Sequence, residues 1–565
     1  MKNKIYLLLL LAIVAFSGCS DDEFFDTLSD TDLETDLYWT TATDYELVCN
    51  GLYTFYTGHS TKWTNSPIVF GDDKSDNLVP ETVNEWAAGL YTVPSSDASY
   101  TYSTVRTINT LLEAADETDL TFTEISTYVG EANFFKAEFY FEKCKRYGAY
   151  QWLDEVLDED SGDLYSARDS RNTCMDSAMA CINRAIDYLD EGTSNHSRIH
   201  RNIALAAKAR MALHEGTYRK YHDSGDYTEY LQEAYDAALE LMESGDYSLQ
   251  SDFRTLFSQE DKSDSPEVIL MKDYEVDLLT TAILYELNYN NNNEGVSKSL
   301  VDDFLCTDGL PISQSSLYDE SEGWFTEFNN RDSRLSVTVA APDSEWLDGT
   351  YPNINGAYVS GTETPEINNT IGVSTTGYLI EKHWDNNATN TALAQWAAYD
   401  AIIYRYGETL LIYAEAAYEL GVLTQDDVDK SINLLRARAG MPDMVIADLV
   451  KDADSDFSDI DATLDEIRRE RRVELAIENF RYDDLMRWAA GDLLENRLLG
   501  MKFMASYYPN VEVDSDLYLD DDGYIWPYAT DLPDGRTFTS PQMYLYPLPT
   551  DELTLNPNLT QNPGW

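Results

Sequence analysis

Apolar positions recur with helical spacing over the first half of the chain and again near its end. Amphipathic or alanine-rich helices are predicted at 128–147, 171–189, 199–213, 227–242, 399–420 and 425–439. Gly440 followed by Pro442 is a typical helix stop, with the glycine suited to a left-handed conformation. Helix pairs of this length with short turns between them indicate tetratricopeptide-like hairpins that stack side by side.

The segment between the two helical regions, residues 248–396, lacks helical periodicity. It carries many glycines, an asparagine run at 290–293, and isolated tryptophans that include Trp324, Trp346 and Trp384. This composition predicts long loops with short strands. Loops of such length in a compact protein are usually functional or disordered, and the aromatic residues argue against disorder.

No proline- or serine-rich linker divides the chain, so we predict one mostly α domain over residues 41–565. Its helical scaffold is expected at 41–247 and 397–500, on either side of the loop-rich segment 248–396. The remaining residues, 501–565, are predicted to form an extended C-terminal tail.

The N-terminal residues have the three parts of an export signal. Lys2 and Lys4 are followed by an apolar run at 5–16 and then by a pair of small residues before Cys19. The run is too short to span a membrane, which takes about 20 apolar residues. Because a cysteine after small residues looks like a bacterial lipoprotein processing site, we predict a signal peptide at 1–18 and lipid attachment at Cys19. The alternative is an ordinary secretory signal with an incidental cysteine.

Residues 19–40 are predicted to be an acidic tether. The sequence Ser-Asp-Asp-Glu at 20–23 resembles the acidic signal that sends lipoproteins to the outer surface in Bacteroidetes. A flexible tether in a chain that is acidic throughout is the alternative. We therefore expect a lipid-anchored protein of the outer membrane that faces the cell exterior.

Acidic residues dominate the composition, with 102 Asp and Glu against 39 Lys and Arg and a formal net charge of −63. Such a charge repels phosphate backbones and anionic lipid, which weighs against nucleic acid and against direct membrane adsorption. It also weighs against a strongly acidic polysaccharide, unless a local basic patch offsets it. The hydrophobic content of 43% indicates a folded protein rather than a disordered one.

Neither the cysteines nor the acidic runs predict a metal or cofactor site. Cys174 and Cys181 lie in one predicted helix about 10 Å apart, beyond the ~7 Å limit for a disulfide, so buried free thiols are expected. The aspartates at 452–456 imitate the start of an EF-hand loop but lack its glycine and its final glutamate. The sequence has no zinc-protease, serine-nucleophile or phosphate-loop motif.

Residues 467–488 resemble the signature helix of SusD/RagB-type proteins, which are outer-membrane nutrient-binding lipoproteins of Bacteroidetes. They read Ile-Arg-Arg-Glu-Arg-Arg-Val-Glu-Leu-Ala-Ile-Glu-Asn-Phe-Arg-Tyr-Asp-Asp-Leu-Met-Arg-Trp. Ile477 and Asn479 stand where the family has phenylalanine and glycine. The chain also closes as the family does, with Tyr-Pro-Leu-Pro at 546–549 and Asn-Pro-Asn-Leu-Thr-Gln-Asn-Pro-Gly-Trp at 556–565.

This resemblance implies a SusD-like fold and a role in nutrient uptake. A SusD-like protein sits over the mouth of a SusC-like TonB-dependent transporter, binds oligosaccharide, and hands it down as a lid opens and closes, without covalent chemistry. The resemblance therefore implies a carbohydrate-binding surface lipoprotein of polysaccharide utilisation that is not an enzyme. A peptide ligand in a RagB-like role is the first alternative, and a surface glycosidase or a purely protein-binding lipoprotein is a weaker one.

The resemblance also implies that loop aromatic residues, from the region after the first helix and from the loop-rich, ligand-facing segment, bind the ligand. The candidates are Asn84, Trp86, Tyr91, Trp324 and Phe325. For any single one of them, burial in the core explains the residue equally well. Weaker candidates are Tyr289, the asparagines at 290–293 and Trp346.

The arginine-rich stretch at 468–472 has two interpretations. It looks like a basic binding patch, but in so acidic a chain an ion-pair lattice with Glu470, Glu474 and Glu478 at helical spacing is favoured. The C-terminal prolines are expected to fix the tail against the helices. We therefore interpret both motifs as framework of the fold and not as a ligand site.

Overall fold

The computed structural model of the chain describes residues 38–60, 66–192, 196–289, 294–341, 374–385, 396–508 and 511–565. Its α-helices are α1 (Ala42–Leu52), α2 (Pro67–Phe70), α3 (Ser103–Glu117), α4 (Phe122–Tyr147), α5 (Arg171–Tyr188), α6 (Arg201–Tyr221), α7 (Thr228–Ser244), α8 (Phe253–Ser258), α9 (Ile283–Tyr289), α10 (Lys298–Asp303), α11 (Trp324–Glu327), α12 (Leu335–Thr338), α13 (Tyr406–Glu419), α14 (Gln425–Asp429), α15 (Ile432–Ala439), α16 (Ala462–Glu474), α17 (Arg481–Arg487) and α18 (Thr550–Leu555). Its strands are β1 (Leu78–Val79), β2 (Val268–Lys272), β3 (Gly295–Val296) and β4 (Ala401–Arg405). The mostly α fold class is confirmed.

The long helices stack as hairpins around the main hydrophobic core. Helix α4 packs on α3 and α5, α6 packs on α5 and α7, and α13 packs on α7. The aromatic residues predicted to cover α4 are all buried in this core, among them Phe134, Phe135 and Tyr140. Because α13 completes the stack although residues 245–405 intervene, the loop-rich segment is an insertion between two neighbouring helices of one scaffold.

Two of the predicted helices are wrong in part. The helix predicted at 399–420 begins only at Tyr406, because Ala401–Arg405 form β4, which pairs antiparallel with β2. Three consecutive β-branched or aromatic side chains in β4 favour a strand once a partner strand is present. The helix predicted at 425–439 is broken near Ser431, whose backbone is not helical, into α14 and α15.

The loop-rich segment builds a second hydrophobic core beside the helical stack. Trp324, Tyr378 and Trp384 lie at its centre, next to the two-stranded pair of β1 and β3. Val473 and Ile477, at and just beyond the end of α16, belong to this second core, whereas Leu475 between them belongs to the main core. The signature segment therefore joins the two cores.

The charged residues of α16 form a buried ion-pair lattice, but the predicted pairing of its arginines with Glu470, Glu474 and Glu478 along the helix is wrong. Among the described residues, the pair within α16 is Arg469 with Glu466, at 3.2 Å. Glu474 accepts hydrogen bonds from Arg334 at 3.0 Å, from Arg405 at 2.7 Å and from Arg438 at 2.6 Å, and all three arginines belong to other elements. Arg472 pairs in turn with Asp303 at 2.7 Å.

The reason for this difference is that α16 has no solvent face. Every residue from Leu464 to Glu474 is buried, whereas pairs at helical spacing form on an exposed helix surface. A buried charge must be met by a partner on the element that it faces. Arg468 faces Trp488 and stacks on it, with its guanidinium carbon 4.3 Å from the ring centroid.

The C-terminal tail packs on the end of α4. The backbone N–H of Tyr546 donates to the carbonyl of Arg146 at 2.8 Å, and the Asn562 amide donates to the carbonyl of Tyr147 at 3.0 Å. The tail is not extended throughout, since it contains the short helix α18. These bonds place Tyr546 beside the charged end of α4.

The five cysteines of the described residues are free thiols, and all are buried, as predicted. Within the described ranges, no helix is long and apolar enough to span a membrane. The same ranges contain no group of three or more His, Cys, Asp or Glu side chains suited to hold a metal ion.

Candidate functional site

The first group of sequence candidates lies in the turn that precedes α3. Trp86 is 3% exposed and belongs to the main core, whereas Asn84 and Tyr91 are partly exposed. The Asn84 side chain accepts a hydrogen bond from the backbone N–H of Trp86 at 3.1 Å and donates one to Asp73 at 2.9 Å. Asn84 therefore holds the turn that carries the tryptophan.

The second group of candidates lies in the second core. Trp324 is 2% exposed, and its indole N–H donates to the carbonyl of Ala340 at 3.3 Å. Phe325 is partly exposed and packs against Tyr507, with ring centroids 4.5 Å apart. The structure thus separates Trp86 and Trp324 into two cores and leaves neither indole with an open face.

Some candidates cannot be placed. The asparagines at 290–293, Trp346 and the lipidation residue Cys19 lie outside the described residues, and so does the side chain of Tyr289. The ligand-binding role of Asn84, Trp86, Tyr91, Trp324 and Phe325 stays a prediction.

Two adjoining cavities lie where α4, α6 and α17 meet. We call the first the arginine cavity; it has a volume of about 400 Å³, and its lining includes Arg210, Arg405, Arg471 and Arg487. We call the second the lysine cavity; it has a volume of about 390 Å³, and its lining includes Lys74, Lys143, Lys145 and Arg146. The two share Glu142, Lys145, His214, Asn479 and Asp483 as lining residues. Together they have the size of a typical small-molecule site.

The arginines of the arginine cavity are held by carboxylates. Arg210 binds Glu408 through two hydrogen bonds of 2.7 and 2.6 Å, and Arg487 binds Glu415 in the same bidentate way. Such pairs fix the guanidinium planes and neutralise their charge. The arginine cavity is therefore lined by many charged groups, but their positive and negative charges nearly cancel.

Three polar atoms on the wall of the arginine cavity have no hydrogen-bond partner among the described residues. They are the hydroxyl of Tyr56, Nη1 of Arg471 and Nδ1 of His214. Buried polar atoms are normally hydrogen-bonded to protein or to ordered water. The three atoms are themselves buried, so none of them is exposed to the open space of the cavity in this conformation.

Glu138, which also lines the arginine cavity, makes the stability of the folded protein depend on pH. Burial raises the pKa of its carboxyl to about 7, whereas an unfolded glutamate titrates near 4.3. The folded protein therefore holds this proton more tightly, and its stability falls as the pH rises from about 4.3 to about 7. Glutamine does not titrate, so we expect Glu138→Gln to lack this loss. The free energy of unfolding of the variant minus that of wild type should therefore be about 1–3 kcal/mol larger at pH 8 than at pH 5.

Urea denaturation at the two pH values measures this difference. The exposed Glu229→Gln on α7 is the matched control and should follow wild type. Equal pH dependence in Glu138→Gln and wild type would contradict the prediction.

An aromatic and cationic stack supports the wall of the lysine cavity. The rings of Trp86 and Tyr546 are parallel within 5° with centroids 3.6 Å apart, and the Arg146 guanidinium carbon lies 3.8 Å from the Tyr546 ring centroid. The Trp86 indole N–H donates to the hydroxyl of Tyr482 at 2.7 Å. Because Tyr546 and Tyr482 line the cavity, Trp86 fixes two of its wall residues from behind.

Comparison with known proteins identifies the fold and its family. A sequence model of the SusD family matches residues 266–565. The chain belongs to the SusD family. It is 22% identical to the SusD-like protein P38 of Formosa agariphila over 86% of this chain and 91% of that protein. It is also 22% identical to the SusD-like protein P2 of the same organism over the full length of both.

Solved structures show the same fold. A SusD-like carbohydrate binding protein from Bacteroides fragilis superposes with a TM-score of 0.74 at 20% identity, over 93% of this chain and 100% of that one. A laminarin binding SusD-like protein superposes with a TM-score of 0.56 at 17% identity, over 93% and 100% of the two chains. The prediction of a SusD-like fold is confirmed.

The SusD-family signature explains the backbone between the two cavities. Asn479 stands at the position of the family glycine and has a φ of +64°, a left-handed conformation that glycine and asparagine adopt most readily. Its side chain lies over Gly71, where an added Cβ would come within 2.4 Å of the Asn479 Cγ. The departure from the family sequence therefore places a residue suited to this left-handed conformation and adds an amide to the lining of both cavities.

One functional candidate in this SusD-family protein was missed by sequence analysis. Trp396 is 60% exposed and is the one tryptophan among the described residues that is mostly solvent-accessible. It ends the loop-rich segment, beside Ala397, which pairs with Thr281. Two residues further along, Ala398 clusters with Ile68, a lining residue of the arginine cavity. Its position in the predicted ligand-facing segment was the available signal.

Proposed function

We propose that this protein binds nutrient oligosaccharide at the cell surface and delivers it to a SusC-like TonB-dependent transporter. The observation that carries the proposal is the SusD-family match. Similarity to solved proteins named as carbohydrate binding and laminarin binding supports a glycan ligand. In this proposal, lipid at Cys19 and the acidic tether hold the domain at the outer membrane, and the protein acts without covalent chemistry.

Trp396 is the proposed platform for a sugar ring. An exposed indole offers the flat apolar face against which the C–H face of a pyranose packs. Of the sequence candidates, the partly exposed Asn84, Tyr91 and Phe325 remain proposed contacts. Buried Trp86 and Trp324 serve the site in this proposal by supporting their neighbours.

Trp396→Ala is expected to weaken glycan binding by about 5- to 100-fold, because an apolar side-chain contact of this size contributes about 1–3 kcal/mol. Its free energy of unfolding should stay within about 0.5 kcal/mol of wild type, since the side chain is exposed. Calorimetry and urea denaturation measure the two effects. Tyr165→Ala, which removes a 54% exposed aromatic residue at the end of a 3₁₀ helix, is the matched control. Unchanged affinity in Trp396→Ala would place the platform elsewhere.

A peptide ligand in a RagB-like role is the second candidate function. The arginine cavity is lined by charged side chains, among them Arg210, Arg405 and Glu408, which suit a peptide as well as a sugar. A screen that contains both ligand classes distinguishes the two.

Affinity electrophoresis of residues 20–565 through gels that contain single polysaccharides or casein-type peptides tests the proposal. Retardation by a polysaccharide supports a glycan-binding protein. Retardation by peptide alone would favour the second candidate, and unchanged mobility in every gel would contradict both.

A further inference from the structure

The lysine cavity inverts the charge balance of the chain. The whole sequence has 102 acidic and 39 basic residues. The cavity lining has two acidic residues, Glu142 and Asp483, against Lys74, Lys143, Lys145 and Arg146. This is the local basic patch that would offset the repulsion between the chain and an acidic polysaccharide.

Both acidic residues of the lining are committed to one lysine. Lys145 contacts Glu142 at 2.7 Å and Asp483 at 2.6 Å. Arg146 is paired outside the lining, with Asp97 at 2.8 Å. The two remaining lysines of the lining are Lys143 and Lys74.

Lys143 and Lys74 have no carboxylate within ion-pair distance among the described residues. The Lys143 ammonium donates to the carbonyl of Ser99 and lies 4.9 Å from the Phe139 ring centroid. Lys74 is partly exposed, and Asp73 beside it in the chain is engaged by Asn84. The cavity lining therefore holds two lysines that take part in no ion pair among the described residues.

We propose that the lysine cavity binds an acidic unit of an anionic glycan, with its carboxylate or sulfate at Lys143 and Lys74. The proposal rests on the proposed function and names its ligand class. Tyr482, Tyr544 and Tyr546 on the same wall supply hydroxyl groups and ring edges for the sugar. At physiological ionic strength charges are screened over about 8 Å, so these near lysines outweigh the distant negative surface.

Binding of an anion should be coupled to proton uptake. Burial lowers the pKa of Lys143 to about 8, and the charges that face it are Glu142 and Arg146 on its own helix and Asp97 on the facing loop. An anion beside the ammonium favours its charged form. Affinity for an acidic glycan is therefore expected to fall between pH 7 and pH 9.5 as Lys143 loses its proton.

The test uses two matched pairs of ligands. Oligogalacturonate is compared with its neutral methyl ester, and a sulfated carrageenan oligosaccharide with its desulfated form. Calorimetry on residues 20–565 is run with wild type, Lys143→Gln, and the control Lys430→Gln, a 45% exposed lysine paired with Asp427. We expect wild type to bind an acidic member, and Lys143→Gln to bind it at least about tenfold more weakly, the loss of one charge-assisted contact, with Lys430→Gln unchanged.

Each result separates the two proposals. Binding of the carboxylated pair member or of the sulfated one identifies which anion the site takes. Tighter binding of the neutral members, or equal acidic affinity in wild type and Lys143→Gln, overturns the anionic proposal and leaves glycan binding standing. Absence of binding to every member overturns the anionic proposal, and glycan binding is tested separately by affinity electrophoresis through gels of single polysaccharides. Thermal unfolding of Lys143→Gln at the wild-type temperature confirms that the variant is folded.

Discussion

Replacing Glu474 with glutamine is expected to lower the free energy of unfolding by about 3–5 kcal/mol, the cost of removing one partner from a buried ion pair. The Glu474 side chain is fully buried. Burial opposes its ionisation, but Arg438, Arg405 and Arg334 outweigh it and hold its pKa well below the usual range. The variant leaves three guanidinium groups at the junction of the two cores without their shared carboxylate.

Urea denaturation measures this loss. Glu243→Gln, an exposed residue in the last turn of α7, is the matched control and should change stability by no more than about 0.5 kcal/mol. A Glu474→Gln protein as stable as the control would contradict a framework role for the lattice.

Trp86→Ala and Trp324→Ala are each expected to destabilise the protein by about 3–5 kcal/mol, because each removes a large buried side chain and leaves a cavity. Trp86→Ala should also weaken glycan binding in whatever fraction stays folded, since Tyr546 and Tyr482 lose the ring that holds them. Trp324 lies in the second core and packs against Phe325. Its variant should show the stability loss alone if the ligand binds at the lysine cavity, and weaker binding as well if the ligand contacts Phe325.

Urea midpoints, with Trp396→Ala as the tryptophan control of unchanged stability, check this expectation. Normal stability in both buried-tryptophan variants, with lost binding, would show instead that these residues contact the ligand.

The scaffold was predictable from sequence wherever a helix is amphipathic. Helices α4 to α7 follow from apolar spacing, because each buries one face against the next. The start of α13 was not predictable, because β4 exists through its pairing with β2, which lies more than a hundred residues earlier in the chain. Strand formation of this kind depends on a distant partner and not on local preference.

The partners of the α16 charges were also beyond sequence analysis. Spacing along the helix shows which charges share a face, but not that every face is buried. Arg334, Arg405 and Arg438 come from three distant segments, and folding alone brings them to Glu474.

The candidate site was predictable only as a region. Composition indicated aromatic loops, but Trp86 and Trp396 look alike in sequence, and tertiary packing makes one buried and the other exposed. Likewise Lys74 lies alone among acidic residues in the sequence, whereas Lys143 is followed closely by Lys145 and Arg146. Only the fold places Lys74, in the 3₁₀ turn after α2, on the lining of the same cavity as these residues of α4.

The measurement that tests glycan capture most directly is a calorimetric titration of residues 20–565 with oligosaccharides of the polysaccharide that retards the protein, followed by an assay for new reducing ends. We predict saturable heat for a single site and no new reducing ends after prolonged incubation. Release of reducing ends would contradict a binding protein without covalent chemistry, and absence of saturable heat would contradict glycan capture itself.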